Sequence, residues 1–97
     1  MQSIKLNKVF HLENNNEINF SRGLLLIDDQ GSLDNWRVSL TKVQDTHVFM
    51  EDYKSENEFR LNLLDFDGNS YIGSLAVDMI SANTTVLMVS KGELNGE

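Results

Sequence analysis

The side chains best placed to do chemistry in this sequence belong to Asp65-Phe66-Asp67-Gly68-Asn69. Oxygen donors at alternate positions of a tight loop point inward, which suits a hard cation such as Ca²⁺. Asp65, Asp67 and Asn69 are therefore the candidate metal ligands. The EF-hand pattern is not reproduced: its glycine belongs at the sixth position and here stands at the fourth, and its twelfth-position glutamate is Ala76. The same residues also make a hairpin turn, because Asp, Asn and Gly tolerate left-handed backbone. The turn is the simpler reading and the cation loop the alternative.

A second acidic loop, Asp28-Asp29-Gln30-Gly31-Ser32-Leu33-Asp34, could bring three carboxylates together. A solvated connection that keeps neighbouring strand edges from pairing with other molecules accounts for it more simply. Glycoside hydrolysis would need two carboxylates facing each other across a cleft roughly 5–10 Å wide. A chain of 97 residues has little room for such a cleft beside its core.

Other catalytic equipment is missing. His11 and His47 are the only histidines, with no HxH or HExxH spacing, and neither a GxSxG elbow nor a glycine-rich phosphate loop occurs. Each histidine reads as an ordinary surface or strand-edge residue. With no cysteine, disulfides, thiol nucleophiles, zinc–thiolate sites and iron–sulfur clusters are excluded together. No catalytic residue and no cofactor is expected.

Aromatic residues in polar surroundings are the remaining clue. Tyr53 lies within EDYKSENE and Phe66 within the Asp65–Asn69 turn. Such residues usually fold back onto the core, but left outside they dock a partner or stack on a sugar. With the acids around them they give the candidate partner-binding set: Glu51, Asp52, Tyr53, Glu56, Glu58 and Phe66.

The elements that must position these groups follow from alternation. Trp36, Val38 and Leu40 oppose Arg37, Ser39 and Thr41, and Phe59, Leu61 and Leu63 oppose Arg60 and Asn62. Period two between turn residues is the pattern of half-buried strands. Strands are expected near 3–12, 17–27 (with a possible split), 35–43, 47–51, 58–64, 71–79 and 84–90. Leu24–Ile27 is a continuous apolar run and reads as a strand covered on both faces. The clearest local feature is a hairpin, Phe59–Leu64 with Tyr71–Val77. AVDMISA, around 76–82, is compatible with a short helical turn, and Trp36 reads as a core anchor. The fold class is all-β, mainly antiparallel, a six- to seven-stranded sandwich or small barrel forming a single domain over 1–97. An open edge at 3–12 or 84–90 would invite a homodimer by strand pairing.

Charge narrows the partners. Fifteen acids against eight bases give a net charge of −7. Residues 1–48 hold six acids and five bases, and residues 49–97 nine acids and three bases, so the second half carries −6. The scattered bases form no patch, which argues against direct nucleic-acid binding. No apolar stretch has the length of a signal-peptide core or a membrane span, so a cytoplasmic location is expected if Met1 is the native start. The expectation is a non-catalytic protein-interaction module meeting a partner with a basic surface, the profile of a small accessory protein of bacterial or phage type. The alternative is a surface β-sandwich binding carbohydrate or Ca²⁺.

Overall fold

The alternating segments do form strands, and the strands close on themselves. The computed structural model describes residues 2–12, 16–28, 35–44, 46, 49–50, 55 and 57–96. Eight strands follow in order: β1 (Gln2–His11), β2 (Asn16–Ile18), β3 (Arg22–Ile27), β4 (Trp36–Thr41), β5 (Phe59–Asp65), β6 (Ser70–Ile80), β7 (Val86–Ser90) and β8 (Asn95–Gly96). All pairings are antiparallel, and the neighbours run β1-β3-β4-β7-β6-β5. Pairing of β5 with β1, from Leu6–Asp65 to His11–Leu61, closes a six-stranded barrel. The short β2 adds to β1 and the short β8 to β6.

The inward-facing residues of these strands make the core: Leu6, Val9, Leu25, Val38, Leu40, Leu61, Leu63, Leu75, Val86 and Met88 are all buried. Each large aliphatic side chain moved from water into such a core contributes about 1.5–3 kcal/mol. Trp36 anchors one end as expected. Its indole N–H donates to the Gly92 carbonyl at 2.9 Å, and its ring lies against Gly73, where a Cβ would come within 2.5 Å of Cη2. At the other end Phe49 closes the barrel against Phe59 and His11, with ring centroids 5.7 and 6.3 Å away.

The 59–64/71–77 hairpin is present in the expected pairing, with Phe59 opposite Leu75 and Leu64 opposite Ser70. The segment 17–27 is split, because four residues (19–22) lie opposite two (7–8) between the Ile18–Val9 and Gly23–Leu6 pairs.

Four expectations are corrected. Phe49 and Met50 lie not in a strand over 47–51 but in a helical turn, both donating N–H to the Thr46 carbonyl at 3.0 Å. A short apolar run carries no period of its own, and plugging the barrel end decides it. The helical turn near 76–82 gives way to β6, because Ala76–Ile80 is held in a ladder by Val86–Val89, with a bulge between Val77 and Met79. Leu24–Ile27 is covered on one face only: Leu25 is fully buried, whereas Leu24 and Leu26 are half-buried on the outer wall. Of the two candidate open edges, 84–90 is enclosed, β7 lying between β4 and β6, and 3–12 is open only in part, β1 being paired on both sides at Leu6 and at Val9–His11.

Candidate functional site

The Asp65–Asn69 loop is shaped by its own residue types. β5 ends at Asp65, whose N–H donates to the Asn69 carbonyl at 3.1 Å. The Asp65 carboxylate then caps the turn. Oδ1 accepts the backbone N–H groups of Asp67 and Asn69 at 2.9 and 2.8 Å, and Oδ2 accepts the Asn69 side-chain amide at 3.0 Å. Gly68 takes φ of 90°, a conformation open to glycine at little cost. These bonds favour the ionised form and hold the Asp65 carboxyl below its ordinary value of 3.8. The Asn69 side chain contributes most, burial opposes it, and the backbone N–H groups of Asn69, Asp67 and Gly68 add to it.

The three candidate metal ligands are thus brought into one loop, with the Asp65 oxygens aimed at the loop's own donors. A cation there would compete with three N–H groups for that carboxylate. Among the described residues no group of three or more His, Cys, Asp or Glu side chains is placed to hold a metal ion.

A capped turn this tight leaves Phe66 no way back to the core. Phe66 is 69% exposed, so of the two fates open to it in the sequence the outward one is realised. Depressions flank it on both sides. One, of about 420 Å³, is lined by Lys5, Leu6, Ser21, Arg22, Gly23 and Leu24. The other, of about 450 Å³, runs between Gln2–Lys5 of β1 and Asp65, Asp67, Asn69 and Tyr71. Phe66 and Lys5 line both and form the wall between them.

The second depression exists because β1 outruns its neighbour. Pairing of β1 with β5 begins only at Leu6–Asp65, with a bulge before Lys8–Leu64, and beyond that point the chain turns at Phe66. Gln2–Lys5 continue past this end, bonded to β3 on one side. Among the described residues their other edge meets no strand. The sequence named 3–12 as one of two candidate open edges; it did not show that the open part is confined to Gln2–Lys5.

The other candidates fall elsewhere. Glu58 is exposed just before β5. Glu51, Asp52, Tyr53 and Glu56 lie outside the described residues, as do His47 and the segment 29–34. At the base of that segment Asp28 N–H donates to the Asn35 carbonyl at 3.0 Å, and its carboxylate accepts the Asn35 amide at 2.9 Å. His11, expected at a surface, is 3% exposed and stacked on Phe59 with centroids 5.3 Å apart and planes at 14°. It is a packing residue of the aromatic plug, at the opposite end of the barrel from Phe66.

Compared with known protein families, curated proteins and solved structures, the chain matches none.

Proposed function

We propose that this domain is a non-catalytic protein-interaction module that meets its partner around Phe66. The observation that supports it most directly is a phenylalanine held outward on a capped turn between two depressions. Exposing a large aromatic ring forgoes burial worth about 1.5–3 kcal/mol, and an aromatic anchor beside pockets is the usual centre of a protein contact. Local preorganisation by the Asp65 cap lowers the ordering cost on binding. The net charge of −7 favours a basic partner surface over an acidic one.

The test compares immobilised wild-type protein with Phe66→Ala in lysate of the source organism at low and high salt. Because the ring is exposed, the substitution should leave the melting temperature nearly unchanged, within about 0.5 kcal/mol in stability. The expected result is a stoichiometric partner retained by the wild type, released by salt and lost from Phe66→Ala. Equal recovery on both proteins would sink the assignment of Phe66. Recovery indifferent to salt would sink the electrostatic steering.

A further inference from the structure

We infer that the outer wall of the barrel over β3, β4, β7 and the adjoining part of β6 takes an acidic amphipathic helix of a partner protein. The inference goes beyond the contact at Phe66 and uses a different surface. Register fixes which side chains share this wall, because residues directly opposite each other point to the same face. One row runs Ser3, Leu26, Arg37, Val89 and Ala76, and the next runs Lys5, Leu24, Ser39, Leu87 and Met79. Leu25, Val38 and Met88, which alternate with them, are buried in the core, so both rows face out. Six of the outward residues are apolar. Val89 is 36% and Met79 46% exposed, and Leu24, Leu26, Ala76 and Leu87 are partly buried. Among the described residues the strands form one sheet and no second layer covers this face. An apolar sheet face is ordinarily covered by another element, and an exposed one marks a contact surface.

Charge sets the occupant's chemistry. β1, β3, β4 and β7 carry Lys5, Lys8, Arg22 and Arg37 and not one Asp or Glu, in a chain that holds fifteen acids. Bases scattered through the sequence are gathered here by the register. Lys5, Arg22 and Arg37 are exposed, and Arg37 stands between Leu26 and Val89 in the first row. Asp28 lies just past the end of β3 and Asp78 at the bulge of β6, at the margins of the wall. Exposed charges are screened beyond about 8 Å at physiological salt. An occupant lying on the wall therefore meets these three cations, whatever the net charge of −7 does to its distant approach. Carboxylates flanking an apolar stripe complement that pattern. The apolar residues between the cations are aliphatic, which favours a protein over nucleic acid, whose bases stack on aromatic rings. Four strands about 4.8 Å apart make a strip about 14 Å long, the length of about ten helical residues. A second copy of this chain is the poorer occupant, because a two-fold contact sets the same cationic wall against itself.

The experiment uses the whole chain and a blocked peptide with Leu on one helical face and Glu on the other, followed by amide chemical shifts and titration calorimetry. Two controls accompany it: a counterpart with Lys in place of every Glu, and the Leu–Glu peptide interrupted by a central proline, which breaks the helix. The expected result is shifts centred on Leu24, Leu26, Arg37, Ser39, Leu87 and Val89. Binding should weaken at least tenfold in Arg37→Glu, severalfold in Val89→Thr, and severalfold again with either control peptide. Both substitutions lie at exposed positions and should leave the melting temperature nearly unchanged. Absence of binding at millimolar peptide, equal binding of the Lys counterpart, or equal binding of the interrupted peptide would each overturn the inference. So would shifts confined to Lys5, Arg22 and Phe66, which would place the peptide in the depression beside Phe66. A dimer of the free chain that protects Leu87 and Val89 would make a second copy the occupant. Shifts of the wall residues with phosphatidylglycerol vesicles but not with the peptide would assign the wall to a membrane surface, and either finding overturns the partner helix.

Discussion

Asp65 shows how one side chain can set a surface. Its carboxylate replaces loop backbone and water as acceptor for three N–H groups, and this is what commits Phe66 to solvent. Because its carboxyl is held below 3.8, the stability it contributes is complete above that value and is lost as pH falls through the lower folded-state value. Asp65→Asn removes the charge and keeps an acceptor oxygen. The variant should melt below the wild type at neutral pH, and the gap should close as both are acidified well below 3.8. Parallel melting curves across that range would show that the ionised cap is not what holds the turn. The same bonds predict that millimolar CaCl₂ leaves the wild-type melting temperature unchanged, since a cation would have to displace the loop's own donors. A rise would revive the cation loop.

Individual elements here depend on close approach at few points. β4 and β6 are brought together at their ends by the Trp36 ring lying over Gly73, beside Leu94. A methyl group at position 73 would come within 2.5 Å of Cη2, so the indole must move and its bond to the Gly92 carbonyl must lengthen from 2.9 Å. Gly73→Ala should cost about 1–3 kcal/mol, the usual penalty for overpacking. For a domain of this size each 1 kcal/mol lowers the melting temperature by about 4–8 °C. Trp36 is the only tryptophan, so its emission reports the displacement directly. Unchanged stability and emission would mean that β6 can retreat, and that the contact does not set the strand spacing. β1 is governed by a different feature, the bulge between Leu6 and Lys8, where its pairing with β5 ends.

The whole molecule is a barrel whose closing contact joins distant parts of the chain, His11 with Leu61. Such pairings must wait for loop closure, which places refolding in roughly the millisecond-to-second range. The chain has no proline, so no isomerisation phase of tens of seconds can follow. Stopped-flow refolding monitored through Trp36 should therefore finish within about seconds. A slow phase insensitive to protein concentration would contradict this. Closure also shapes the surface available for function. It removes much of the edge along which strands could pair indiscriminately; among the described residues Gln2–Lys5 of β1 and Ala76–Ile80 of β6 remain paired on one side only.

Several features were determined by the sequence alone. Alternation of Trp36, Val38 and Leu40 with polar neighbours made β4, and the Asp-x-Asp-Gly-Asn series made the turn between β5 and β6, because both signals are local and period two has one structural solution. The anchoring role of Trp36 was legible from its residue type, whereas the split of 17–27 stood only as one option until β1 and β4 fixed the pairing. The tertiary structure decided the rest. His11 carries no sequence signal for burial, and the place of His11 and Phe49 in the aromatic plug depends on which strand ends meet. Ala76–Ile80 is ambiguous between helix and strand until β7 supplies a ladder. Phe66 could have folded inward, and the Asp65 cap together with the filled barrel left it no site to occupy. The open edge of β1 is a difference in length between strands far apart in sequence, and such a difference becomes a physical feature only when closure sets them side by side.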